Sequence, residues 1–329
     1  MKIKNKKIII LIIVFLLMII FIYQLDFTPK KIDYGVSFSP LQAERLGLDW
    51  KKAYLSIFDD LKVSRLRLSA YWNTIEAEQN IFNWQDLDWQ MEEAKKREVK
   101  VVLVIGRRVP RWPECHDPSW LNDLSKEEQE EKVLNLIKEE IEHFKKYDNI
   151  VAWQVENERL FSSFGACAKS SRAFLKREID FVKSLDNRPT ITTDSGELSF
   201  WLGTSGLSDI LGTTIYSKVY NRYLGYFRHI YPPFWYYLRT VMARRIFGNQ
   251  KVIASELQAE PWEAGQPLKE MSLESQNKAF NLKDFRDNLF LAEKSGFDEI
   301  YFWGAEWWYW LKERGDDSFW LEAKNIFSK

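Results

Sequence analysis

Histidine and cysteine are scarce in this 329-residue chain: His116, His143 and His229 are its only imidazoles, and Cys115 and Cys167 its only thiols. No two of the histidines have metal-ligand spacing, and His143 falls in a helical pattern, so a zinc site is not expected. No Gly-x-Ser-x-Gly elbow occurs, which argues against a Ser-His-Asp hydrolase. Neither a Gly-x-Gly-x-x-Gly nor a Walker-type loop is present, so a nucleotide cofactor has no seat. Net charge is missing too. The 47 Lys and Arg balance 47 Asp and Glu, and without a basic face nucleic acid is not an expected partner. No metal or organic cofactor is called for, and carboxylates remain as the candidate catalytic groups.

Aromatic residues, by contrast, are plentiful, with 15 Trp among them. Such rings fill a core and also line ligand clefts, where they lie against the apolar faces of sugars. One long apolar run exists, residues 8–23, preceded by Lys2, Lys4, Lys6 and Lys7. It is somewhat shorter than the ~20 residues that span a bilayer, but Leu25 and Phe27 extend it and lysines snorkel. A cleaved signal peptide is the rival reading, yet bulky Tyr23, Leu25 and Phe27 stand where small residues would mark cleavage. The expectation is a basic cytoplasmic tail at 1–7, an uncleaved transmembrane anchor at 8–25 and a tether at 26–33. Residues 34–329 would then form a single domain outside the cytoplasm, on a single-pass membrane protein.

From Tyr34 onward, strand-like and helix-like stretches alternate. Strands are expected at Tyr34–Phe38, Val63–Leu68, Val99–Ile105, Ile150–Val155, Thr190–Thr193, Ile210–Ile215, Val252–Ala254 and Glu299–Trp303. Helices are expected over Leu48–Leu61, Leu87–Arg97, from a Ser125/Glu128 capping box, over Arg172–Ser184, Lys278–Lys294 and Ser318–Phe327. Eight such units over about 300 residues fit a (β/α)8 barrel. Tyr220–Gly248 breaks the rhythm with many aromatics, Pro232-Pro233, and Arg228, Arg239, Arg244 and Arg245. It reads as a cleft wall or, alternatively, as an amphipathic element resting on the membrane.

The chemistry is concentrated at two strand ends. Val151-Ala152-Trp153-Gln154-Val155 runs into Glu156-Asn157-Glu158, and Val252-Ile253-Ala254-Ser255 runs into Glu256. In a parallel barrel the C-terminal ends of the strands carry the catalytic groups. Asn157-Glu158 and Glu256 at those positions resemble the clan of retaining (β/α)8 glycoside hydrolases that includes cellulases, mannanases, xylanases and β-galactosidases. The resemblance covers Tyr34 to about Ile326. It implies Glu158 as acid/base, Glu256 as nucleophile and a carbohydrate as the substrate. It further implies Arg67 and Tyr216 orienting Glu256, Asn157 on the sugar 2-OH, and Trp303 as the floor of the subsite. Trp72 and Glu306 join this substrate-binding or orienting group. The loop Trp72-Asn73-Thr74-Ile75-Glu76 with Phe82-Asn83-Trp84 is also clan-like, but Ala77, Gln79-Asn80 and Thr214 depart from the usual pattern and leave the sugar open.

Glu260 competes with Glu256 but lies beyond the strand end, and Glu156 has the opposite pleat direction to Asn157. Arg107, Arg108 and Arg111 suggest either an acidic sugar or a solvated loop. Cys115 follows strand three and Cys167 strand four, neighbouring loops at one barrel face, which favours a disulfide in an extracytoplasmic domain. The expected activity is retaining hydrolysis of a β-linked glycan. A non-hydrolytic glycan-binding protein on the same barrel is the alternative.

Overall fold

The computed structural model describes residues 13, 14, 17, 18 and 21–328. Eight strands close into a parallel barrel: β1 (Asp33–Phe38), β2 (Arg65–Ser69), β3 (Lys100–Ile105), β4 (Ile150–Val155), β5 (Thr190–Asp194), β6 (Ile210–Ile215), β9 (Lys251–Gln258) and β10 (Glu299–Trp303). Between β6 and β9 the chain makes an antiparallel hairpin, β7 (Lys218–Asn221) and β8 (Gly225–Arg228). The barrel strands are largely buried, with continuous apolar runs such as that of β3 where helices cover them. Val102, Ala152, Ile191, Ile253 and Tyr301 pack together as one buried cluster. Gly35 makes room for this packing: a Cβ there would meet the Tyr301 ring at 2.8 Å and the Arg65 carbonyl at 2.7 Å.

Around the barrel run α1 (Pro40–Arg45), α2 (Trp50–Asp59), α3 (Trp72–Ile75), α4 (Gln85–Lys96), α5 (Lys126–Phe144) and α6 (Arg172–Leu185). They are followed by α7 (Pro233–Arg245), α8 (Leu273–Ala279), α9 (Leu282–Lys294), α10 (Ala305–Lys312) and α11 (Ser318–Phe327). The Ser125/Glu128 capping box opens α5 with both of its reciprocal hydrogen bonds. The long helix expected at Lys278–Lys294 is instead two, because Asn281 takes an extended conformation and its side chain accepts from the Lys283 and Asp284 amides. Local capping wins over apolar periodicity at that point. The expected seventh strand, Val252–Ala254, runs on to Gln258.

The anchor expected at 8–25 falls mostly outside the described residues. Among the described residues no helix is long and apolar enough to cross a membrane. Residues 26–33 do not hang free as a tether. The Phe27 amide donates to the Lys294 carbonyl, its ring stacks on Tyr237 with centroids 3.7 Å apart, and Asp26 pairs with Lys294. An aromatic and a charge with partners waiting on α7 and α9 dock the segment.

Asn281→Ala removes the cap of α9 and is expected to lower the unfolding free energy by about 1 kcal/mol. Denaturant titration of variant and parent checks this.

Candidate active site

At the C-terminal mouth of the barrel, β2 presents Arg67, whose side chain is almost wholly buried. An uncompensated buried guanidinium is costly, and here each of its nitrogens has a partner. Nε donates to Gln154 Oε1 at 2.7 Å, one terminal nitrogen to Glu256 Oε1 at 2.9 Å and the other to Asn157 Oδ1 at 2.9 Å. Glu256 accepts a second bond at its other oxygen from the Tyr216 hydroxyl, 2.9 Å away. Burial and the Glu256 charge together raise the Tyr216 pKa well above the usual phenol range, so that it stays a donor.

Glu256 owes its position to a bulge. On one side Thr213 pairs with Ala254 but Thr214 with Glu256, and on the other Ile300 pairs with Ala254 but Phe302 with Leu257. β9 thus carries an extra residue relative to both neighbours. Such a bulge re-aims a side chain next to a site.

β4 ends in a second irregularity. Glu156 has φ 63° and Glu158 φ 44°, left-handed values that disfavour side chains. The surroundings impose them. The Glu156 carboxylate accepts from the Arg107 and Arg108 amides and pairs with Arg159. The Asn157 amide donates to the Arg108 carbonyl, and the Glu158 amide to Thr193 Oγ1. Gly106, with φ 98°, lets this clasp form, since a Cβ there would lie 2.6 Å from Glu156 Oε1. Glu156 is therefore a structural staple. It turns Asn157 and Glu158 into the mouth.

Glu158 is buried, and its Oε1 has no hydrogen-bond partner in the protein. Burial raises its pKa well above the carboxylate range, and the charges of Glu256 and then Glu114 add to the effect. The two glutamates of the sequence reading therefore lie within electrostatic reach of each other. Glu114 escaped that reading. Its carboxylate accepts from Arg108 Nε at 3.2 Å and from Asn157 Nδ2 at 3.1 Å, and burial pushes it up to about 7. Its neighbour Cys115 is joined to Cys167 by a disulfide with Cα atoms 5.3 Å apart, which fixes the loop that carries it. A carboxylate beside a clamped cysteine at the rim was the available signal.

The other candidates are placed less simply. Trp303 reaches the mouth, but the Arg111 guanidinium lies 4.0 Å over its ring, covering the face expected to floor a sugar. Arg111 is in turn held by Glu260 and Glu306. Glu306 also accepts from the Ser39 amide, and burial pushes it up to about 7. It orients Arg111 and lies behind the site. Arg67, Tyr71, Arg111 and Trp303 line a narrow crevice at the mouth. Trp72 is corrected outright: fully buried, with Nε1 donating to Glu76 and its ring edge-on to Trp120, it is core. The arginine cluster is already neutralised, Arg107 by Asp117, Arg108 by Glu114 and Arg111 by Glu260 and Glu306. An acidic sugar finds no free guanidinium among these three.

Beneath Tyr216 lies another buried carboxylate, Glu197. It accepts from the Tyr216 amide, the Tyr236 hydroxyl and Thr214 Oγ1, and burial pushes it up to about 7.

Three-dimensional comparison finds the same barrel in glycoside hydrolases. A GH5_18 protein from Bifidobacterium longum subsp. longum, bound to Manβ1-4GlcNAc, matches with a TM-score of 0.60 at 11% identity over 83% of this chain and 68% of that one. Xylanase 10B from Thermotoga petrophila, bound to xylobiose, matches with a TM-score of 0.56 at 16% identity over 83% and 82%. A family 10 endo-β-1,4-xylanase from Gloeophyllum trabeum matches with a TM-score of 0.55 at 13% identity over 85% and 87%. The shared fold is the closed eight-stranded parallel barrel with its surrounding helices. At these identities the likeness is one of fold alone. No family model matches the chain, and no curated protein matches it.

Glu114, Glu197 and Glu306 share a consequence. A carboxyl raised in the folded state contributes stability that is complete below its ordinary value near 4.5 and lost as pH rises through about 7. Unfolding free energy is therefore expected to fall between about pH 5 and pH 8. Glu197→Gln is expected to flatten that fall, and urea titrations across the range check it.

Proposed function

We propose that this protein is a retaining glycoside hydrolase that cleaves a β-linked glycan by double displacement. The observation that carries the reading is the pairing at the mouth. One buried carboxylate, Glu256, is held at both oxygens by Arg67 and Tyr216, and a second, Glu158, is kept protonated close by.

Retention requires two carboxyl groups about 5–5.5 Å apart, one attacking the anomeric carbon and one protonating the leaving oxygen. Glu256 is the nucleophile: the hydrogen bonds from Arg67 and Tyr216 fix the orientation from which it attacks. Glu158 is the general acid, its proton retained by burial and by the charge of Glu256. When the glycosyl-enzyme forms, that charge disappears, the pKa of Glu158 drops, and the same group withdraws a proton from water. Asn157 meets the sugar 2-OH through Nδ2, with Glu114 and Arg67 holding the amide in one orientation. Arg111 tops Trp303, so the ring and the guanidinium together bound the sugar.

Mannosyl and xylosyl ligands in the compared proteins fit a β-linked substrate, and the barrel shared with them supports hydrolysis. We place the domain at residues 34–329, outside the cytoplasm, attached to the membrane through the apolar run at 8–25 with residues 1–7 inside. A non-hydrolytic glycan-binding role is the alternative, and the same variants separate the two.

Glu256→Gln is expected to abolish turnover of every substrate. Glu158→Gln is expected to slow substrates with poor leaving groups by about 10²–10⁴-fold while sparing activated aryl glycosides, with azide restoring turnover as the glycosyl azide. A panel of aryl β-glycosides, followed by product analysis, measures both. Full activity of Glu256→Gln would remove the nucleophile assignment, and binding without turnover by the parent would favour the alternative.

A further inference from the structure

The connection between β6 and β9 carries Tyr216 at one end and is unlike the rest of the chain. Between Asp209 and Glu256 there is no Asp or Glu at all, in a sequence that has 47 of them in 329 residues. The same stretch holds Arg222, Arg228, Arg244 and Arg245. Its apolar side chains are also exposed. Tyr223 and Leu224, at the tip of the β7–β8 hairpin, are 76% and 71% accessible, and Ile230, in the lead-in to α7, is 73% accessible. Phe200, exposed on the loop after β5, joins them through its edge contact with Trp235. Arg239 locks that loop in place, donating to the Ser199 and Gly196 carbonyls with its guanidinium over Trp201 and Trp235.

The N-terminal apolar run arrives at this patch. Phe27 is docked on α7 and on the end of α9, and four residues earlier the Tyr23 hydroxyl donates to the Ile230 carbonyl at 3.2 Å. Tyr23, at the end of that run, therefore lies against the lead-in to α7. The run's described members Ile13, Val14, Leu17, Met18 and Phe21 are exposed apolar side chains. A bilayer that takes up this run begins at the level of Tyr23 and Ile230, so the exposed rings and aliphatic groups of the patch meet it. Aromatic and aliphatic residues with arginines and no acid suit the interface of an anionic bilayer.

We propose that the face formed by the β7–β8 hairpin, the lead-in to α7 and the loop after β5 rests on an anionic membrane surface, which holds the catalytic mouth at the level of the lipid headgroups. The link to the mouth is short. Tyr231 donates to the Glu197 carbonyl, Glu197 accepts from the Tyr216 amide, and Tyr216 holds Glu256. Saccharides carried on membrane lipids are thereby brought within reach of Glu158 and Glu256. The inference rests on the anchored reading of residues 8–25, and its test is independent of turnover.

The full chain, reconstituted in vesicles of phosphatidylcholine and phosphatidylglycerol, is labelled with an environment-sensitive fluorophore at a single new thiol. Leu224→Cys carries it on the hairpin tip, and Leu321→Cys on the exposed face of α11 serves as the reference. Quenchers are brominated phospholipids from the membrane and iodide from the water. The expected result is loss of emission to the lipid quencher at 224 and none at 321, with iodide quenching 321 more strongly. Protein that floats with the vesicles but shows equal, iodide-only quenching at both sites overturns the resting face and leaves the anchor intact. Protein that fails to float overturns both. Repeating the measurement with Glu256→Gln keeps the result separate from catalysis, since the label reads position whether or not a sugar is cleaved.

Discussion

Everything at the mouth of this barrel is arranged around one buried cation. Arg67 lies in β2 with its side chain buried, so the fold must supply an acceptor to each of its nitrogens. The guanidinium is a rigid planar fork, and its partners must therefore occupy fixed positions. Gln154 and Asn157 meet it from β4 and Glu256 from β9. Strands far apart in the chain are thus tied to one geometry by a single side chain. A lysine at position 67 would keep the charge and lose the fork, freeing at least one of the three partners to reorient.

Carboxylates outnumber cations in the space around that fork, and this imbalance underlies the acid chemistry. Arg67, Arg108 and Arg111 are shared among Glu114, Glu256, Glu260 and Glu306, and Glu158 is left with none. Burial disfavours a second negative charge beside Glu256, and the Arg108 charge offsets this only in part. The protonated state of Glu158 follows from that arithmetic of neighbours, in the same low-dielectric space that aims Glu256. Glu114 deepens the effect and at the same time orients Asn157. The disulfide beside Glu114 ties the loop after β3 to the loop after β4.

How much of this was readable from the chain depends on the range over which each feature is decided. The eight strands were legible because each is a short apolar run broken by polar residues, a local signal. Asn157, Glu158 and Glu256 were legible because they stand at those breaks. What decides their aim was not. The left-handed turn at Glu156 and Glu158 exists only because Arg107, Arg108 and Thr193 arrive from other strands, and the bulge in β9 is a mismatch with two neighbours at once. Trp72 and Trp303 show the same limit, since nothing in a tryptophan's sequence context says whether its face meets solvent, core or an arginine. At Asn281 the failure ran the other way. A local cap overrode a helical pattern that was otherwise continuous, and residues 26–33 found partners on α7 and α9 that their own sequence does not announce.

The connection between β6 and β9 joins these two levels. It begins with the tyrosine that holds Glu256, rises into a hairpin with an apolar tip, and returns through a helix that receives the N-terminal segment. Loops on the mouth side of a barrel are free to vary because the strands beneath already supply the framework. Here that freedom has gone into a stretch without acids of its own, next to the point where Tyr23 and Phe27 dock. Rigidity between the two is secured by Glu197, whose carboxyl and carbonyl oxygens take donors from Tyr216, Tyr231 and Tyr236 in a single buried cluster. Any force that fixes the hairpin and the lead-in to α7 against a boundary is thus transmitted to Tyr216 through hydrogen bonds, without passing through flexible chain. The docking of the N-terminal segment and the orientation of Glu256 are, on this geometry, properties of the same element.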